Sequence, residues 1–172
     1  MVSQHRRRIL FATLYLSHLL LAGCALPPKT VSLEGASSYW RGRLAIRVDA
    51  DEGNGFPARS ISAGFELTGN ANEGGLTLYT PIGGTAAVLA WSQHDASLVT
   101  SSDVRHFSSL ATLIEQAVGT DVPVKALFAW LDGTEASAND WTADLTEQPN
   151  GRITAKRTAS HPSAELRIIL DR

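Results

Sequence analysis

Trp40-Arg41-Gly42-Arg43-Leu44-Ala45-Ile46-Arg47-Val48 alternates apolar or small residues with arginine for almost its whole length. In an extended backbone successive side chains point to opposite faces, so Trp40, Gly42, Leu44, Ile46 and Val48 share one side and the arginines the other. That is the pattern of a half-buried strand. The next run repeats it with Ile61, Ala63, Phe65 and Leu67, after the turn-forming stretch Asp49-Ala50-Asp51-Glu52-Gly53-Asn54-Gly55. Two strands joined this way predict an antiparallel hairpin.

Further along, short strand-like stretches occupy 75–80 (Leu76, Leu78), 85–92 (Ala87, Leu89, Trp91) and 97–100, each closed by Gly, Asn, Asp or Ser. Such spacing predicts an antiparallel sheet or barrel. The period then changes. Phe107, Leu110, Leu113, Ile114, Ala117 and Val118 fall at helical spacing, with Ser108 or Ser109 as N-cap and Gly119 as stop. A second helix is expected from Pro123 to Asp132, with Val124, Leu127, Phe128 and Leu131 on one face. Strand periodicity returns at Trp141, Ala143 and Leu145, at Ile153 and Ala155, and at Leu166, Ile168 and Leu170. A curved sheet interrupted once by amphipathic helices can fold them over its concave face and enclose an apolar space. The same residues could equally fill a solid core, and periodicity does not separate the two.

Ahead of this region, Arg6-Arg7-Arg8 precedes an apolar run from Ile9 to Leu21, followed by Ala22-Gly23 and the only cysteine of the chain, Cys24. Charged, apolar and small-residue segments in this order form a signal peptide. Leu19-Leu20-Leu21-Ala22-Gly23-Cys24 resembles the lipobox of bacterial lipoproteins. The resemblance implies an S-diacylglyceryl thioether and an N-acyl chain on Cys24, with residues 1–23 removed. A transmembrane helix needs about 20 apolar residues, and this run is shorter and interrupted by Ser17 and His18. Ala25 and Leu26 follow the cysteine where an aspartate would resemble an inner-membrane retention signal, so the expected location is the outer membrane, lipid-anchored and facing the periplasm. Residues 24–37, with Pro27-Pro28, Lys29 and a Gly/Ser group, read as the lipidated N-terminus and its tether. Residues 38–172 are expected to form one β-rich binding domain.

Removing residues 1–23 takes away three arginines and no acids, so the formal charge moves from −2 to about −5. A mildly acidic domain argues against nucleic acid as a partner, since that surface needs clustered Lys and Arg. With the cysteine committed to lipid there is no disulfide, and stability must come from packing. Catalysis and metal binding find little support. His94, His106 and His161 stand apart, with none in metal-ligand spacing, and no G-x-S-x-G elbow is present. Asp49, Asp51 and Gly53 faintly suggest a calcium loop, but its sixth and twelfth positions hold Asn54 and Ser60 instead of Gly and Glu. No cofactor beyond the lipid on Cys24 is expected. Trp40, Trp91, Trp130 and Trp141 suit either a core or the wall of a lipid cavity.

Taken in order and spacing, the stretch from Trp40 to Val48, then Phe65-Glu66-Leu67, Leu76-Thr77-Leu78-Tyr79-Thr80-Pro81-Ile82-Gly83 and Leu127-Phe128-Ala129-Trp130-Leu131-Asp132-Gly133 are similar to the outer-membrane lipoprotein receptor family LolB. The resemblance extends from the lipobox to the C-terminal strand. It implies a mainly β fold, an incomplete, half-open antiparallel β-barrel with a helical lid over an apolar cavity. It also implies a receptor that accepts lipoproteins from the periplasmic carrier LolA and inserts them into the outer membrane. The partners implied are a LolA-type carrier, the acyl chains of lipoprotein cargo and outer-membrane lipid, with the receptor acting as a monomer. Candidates for the cavity lining are Leu44, Ile46, Phe65, Leu67, Leu76, Leu78, Leu89, Trp91, Leu113, Ile114, Phe128 and Leu131. Two other classes stay open: a lipid-anchored assembly subunit with a filled barrel, and a lipid-active hydrolase with converging Ser, His and Asp.

The loop Pro81-Ile82-Gly83-Gly84 has two readings. Pro81 restricts the backbone and the glycines permit a tight turn, so by itself the loop is an ordinary hairpin with Ile82 packed on a neighbour. The resemblance implies instead that Ile82, which stands where enteric members carry Leu, protrudes and takes part in inserting cargo into the membrane.

Overall fold

The computed structural model describes residues 38–138 and 140–171. Residues 1–37, including Cys24, the signal peptide and the tether, lie outside the described residues. Nine strands run in chain order as β1 (Ser38–Val48), β2 (Arg59–Gly69), β3 (Gly74–Tyr79), β4 (Thr85–Trp91), β5 (Ala96–Val99), β6 (Val104–Phe107), β7 (Trp141–Asp144), β8 (Arg152–Arg157) and β9 (Ala164–Leu170). Two helices, α1 (Leu110–Val118) and α2 (Val124–Leu131), come between β6 and β7. All strands join one antiparallel sheet in the order β6-β5-β4-β3-β2-β1-β9-β8-β7. β6 and β7 end the sheet and do not pair, so the barrel is open. The first and last described strands meet within the sheet, where β1 pairs with β2 on one side and β9 on the other.

The period-2 pattern sets the register, because a slip by one residue would turn every apolar side chain to water. Trp40, Leu67, Leu76, Leu89 and Leu98 align across β1 to β5, and Ile46, Leu166, Ala155 and Ala143 across β1, β9, β8 and β7. These rows form the inner face. A side chain at Gly42 would collide with the carbonyl of Ile169, so only glycine lets β1 and β9 approach as they do. The outer face is laced by ion pairs such as Arg41–Asp171 at 3.3 Å and Arg47–Asp49 at 3.1 Å. Exposed pairs of this kind contribute about 0–1 kcal/mol each.

Ser109 caps α1, its Oγ accepting from the amide of Thr112 at 3.1 Å, and Gly119 ends it. Leu110 and Leu113 point into the interior. On α2 the buried residues are Ala126, Phe128, Trp130 and Leu131, with Val124 and Leu127 only half-buried. This departs from the single face expected, because the helix is covered on more than one side: the Trp130 indole donates to the carbonyl of Ala136 in the segment that follows. Strand β6 is also a difference, since Phe107 reads as the start of the helical pattern but sits in this strand. Four residues containing Arg105 and His106 carry no alternation of their own, and only pairing with β5 makes them a strand.

Candidate functional site

The inner face of the sheet and the two helices bring all twelve candidate lining residues into one apolar cluster. Leu44, Ile46, Phe65 and Leu67 come from the β1–β2 hairpin, and Leu76, Leu78, Leu89 and Trp91 from the β3–β4 hairpin. Leu113 and Ile114 descend from α1, Phe128 and Leu131 from α2. The Phe128 ring bridges lid and sheet, its centroid 5.5 Å from that of Trp40 in a T-shaped contact and 6.4 Å from that of Trp91. Leu44, Leu76, Leu78 and Ile114 are half-buried and the other eight are buried. The same cluster takes in Trp130, Trp141, Leu98, Ile153, Leu166 and Ile168, which the sequence reading did not assign to the lining. For Leu166 and Ile168 the signal was present in the alternation of the last strand.

The surface facing inward is chemically plain. Thr120 is the only polar residue buried among the described residues, and its Oγ1 accepts from Arg157 at 2.7 Å. The indoles of Trp91 and Trp141 donate to the carbonyls of Asn70 and Asp121, each at 2.9 Å, so their rings can line an apolar space with no orphan donor. No group of three or more His, Cys, Asp or Glu that could hold a metal occurs among the described residues. His94, His106 and His161 are all exposed. Among the described residues the buried part of this cluster is apolar, with Thr120 the one polar side chain buried beside it. A cleft of about 710 Å³ opens beside the helices, where the β2–β3 and β4–β5 turns approach the linker into α2 and the start of β7.

The second feature is the β3–β4 hairpin. The amide of Gly83 donates to the carbonyl of Thr80 at 2.9 Å, closing a turn around Pro81 and Ile82, and the amide of Thr80 donates to Gly84 at 2.8 Å. Gly83 has φ 87°, the left-handed conformation that completes this hairpin geometry and that other residues adopt only with strain. Pro81, Gly83 and Gly84 are exposed, and Ile82 is 95% exposed, more than any other large apolar residue described. The Ile82 side chain is thus not packed on a neighbour, as an ordinary hairpin reading would have it.

Tyr79, at the base of this hairpin, donates its hydroxyl to Glu66 at 2.9 Å on the outer face, and that bond holds the phenol above its usual pKa. In the β1–β2 turn, Asn54 donates its side-chain amide to Asp51 at 2.8 Å and lowers the carboxyl pKa. The Asn54 backbone amide donates to the same carboxylate, so Asp51 is bonded twice within its own turn.

The family described as Outer membrane lipoprotein LolB matches residues 39–164. Among individual relatives, the outer-membrane lipoprotein LolB of Azoarcus sp. (strain BH72) is 28% identical over 96% of this chain and 95% of its own length. That of Bordetella petrii is 31% identical, covering 76% of this chain and 66% of the relative. That of Bordetella pertussis is 32% identical over 70% of this chain and 60% of its own. An open antiparallel barrel with a two-helix lid, an uncharged inner face and a match running across nearly all the described residues agree with one another, and the chain belongs to the LolB family of outer-membrane lipoproteins.

Proposed function

We propose that this protein accepts lipoproteins from a LolA-type periplasmic carrier and releases them into the outer membrane, held there by acyl chains on Cys24. The reading is non-enzymatic. Cargo acyl chains would enter the apolar interior beneath α1 and α2, leave the carrier, and then partition into the bilayer. No ATP motif occurs in the chain, so direction would come from relative affinity, and about 1.4 kcal/mol of tighter binding than the donor's biases transfer tenfold. The protein would act as a monomer, with outer-membrane lipid as the final acceptor.

The observation that carries the reading is Ile82, 95% exposed at the tip of a tight hairpin. An isoleucine held in water costs about 1.5–3 kcal/mol relative to a buried one, so the tip favours any acyl phase within reach. The test is a two-stage transfer with the loaded carrier, the lipidated full chain and liposomes, comparing wild type with Ile82→Glu. Uptake from the carrier should be unchanged and release into liposomes lost. A variant that releases cargo at the wild-type rate removes the insertion role, and a wild-type protein that takes nothing from the carrier removes the receptor reading.

A further inference from the structure

The cleft beside the helices has two chemically distinct parts. Its floor is apolar: Leu110, Val122, Ala126 and Trp141 are buried and belong to the same cluster as Phe128 and Leu113. Its polar lining comes from several elements. Asn72 of the β2–β3 turn, Gln93 and His94 of the β4–β5 turn, Asp121 of the α1–α2 linker and Lys125 of α2 supply it. Arg157 also belongs to it, but its guanidinium is already engaged, donating to Thr120 and lying 3.9 Å from Asp140. The volume of about 710 Å³ is in the range that holds small ligands.

The character of the polar lining narrows what such a ligand can be. A phosphate-bearing head is matched by clustered Arg or Lys, and here Lys125 and His94 share the lining with Asp121 and Asp140. Side-chain amides and hydroxyls make up the rest, and amides both donate and accept. The matching head is neutral and rich in carbonyl and N–H groups, attached to hydrocarbon that continues over the floor. An acylated peptide N-terminus has this chemistry. We propose that the cleft holds the first residues of the lipoprotein cargo, their ester and peptide groups hydrogen-bonded at Asn72, Gln93 and Lys125, while the acyl chains pass over Leu110 and Trp141 into the interior. This assignment rests on the receptor reading above.

Photocrosslinking of the full chain in its membrane tests it. Gln93→p-benzoylphenylalanine samples the polar lining, Phe128→p-benzoylphenylalanine the interior and Val99→p-benzoylphenylalanine the outer face; the probe is a short triacylated cysteinyl peptide. Position 93 should crosslink to the peptide portion several times more strongly than position 99, and position 128 to the acyl portion. If position 128 crosslinks while position 93 gives no more than position 99, the cleft assignment fails and the receptor reading stands. If neither position 93 nor 128 captures the probe, both fail together. Capture of membrane phospholipid or of a carrier protein at position 93 in place of the lipopeptide also overturns the assignment.

Discussion

Ile82 shows how one side chain can be separated from the stability of its own element. With the side chain 95% exposed, Ile82→Glu forfeits no packing, and such exposed substitutions usually change stability by less than about 0.5 kcal/mol. The melting temperature should stay within a degree or two of wild type while release into liposomes is lost, because a carboxylate resists the acyl region. Ile82→Leu should keep wild-type release. Phe128 is the opposite case: buried between Trp40 and Trp91, its truncation to Ala should cost about 3–5 kcal/mol, read as a lower denaturant midpoint. Asp51 bears on pH. Its carboxyl is held below the ordinary value by the Asn54 side chain, so the stability it adds is complete above about pH 3.9, the unfolded value. That contribution fades as pH falls through the lower folded value. An NMR titration should place the Asp51 midpoint below that of Asn54→Ala, and equal midpoints would remove this account of the turn.

At the scale of elements, the helices are short and depend on their ends and on what they cover. α1 has nine residues, too few to stand alone in water, where about 12–15 are marginal. Its Ser109 cap satisfies one free amide at its start. Ser109→Ala should cost about 1 kcal/mol. Faster amide exchange should appear in the first turn of α1 while strands β1 and β9 stay protected. The β1–β9 seam joins the first and last described strands within the open sheet, and Gly42→Ala would drive a methyl into the Ile169 carbonyl. That variant should be far more destabilised than Gly83→Ala, whose added methyl meets nothing within 4 Å and costs only the left-handed backbone. Comparable losses at the two glycines would contradict the close approach of β1 and β9.

For the molecule as a whole, the sheet that wraps the lid leaves its outer face to water and its inner face without charge. The described residues contain no helix long and apolar enough to cross a membrane. Attachment is proposed to come from lipid on Cys24, which lies outside the described residues. Three acyl chains hold far more firmly than one, which anchors only marginally. Cys24→Ser should leave the protein in the soluble fraction after envelope fractionation while its β-type circular dichroism is unchanged. Retention in the membrane fraction would show that another segment carries the attachment.

The strand from Trp40 to Val48, its partner from Ile61 to Leu67 and the three strands after Trp141 were readable in the chain itself, because each side chain's face follows from a two-residue period that needs no partner. A serine cap at Ser108 or Ser109 and the Gly119 stop were readable for the same reason, being local chemistry, while the structure chose Ser109. Strand β6 was not, since Val104–Phe107 has no period and becomes a strand only by pairing with β5. The covering of Trp130 depended on the segment that packs behind α2, and the exposure of Ile82 on the absence of any neighbour near the hairpin tip. The cleft draws its floor and polar lining from turns, a linker and a strand far apart in the chain. Local pattern settles which way a side chain leaves the backbone; what it then meets is decided by segments distant in sequence, and only the folded molecule brings those together.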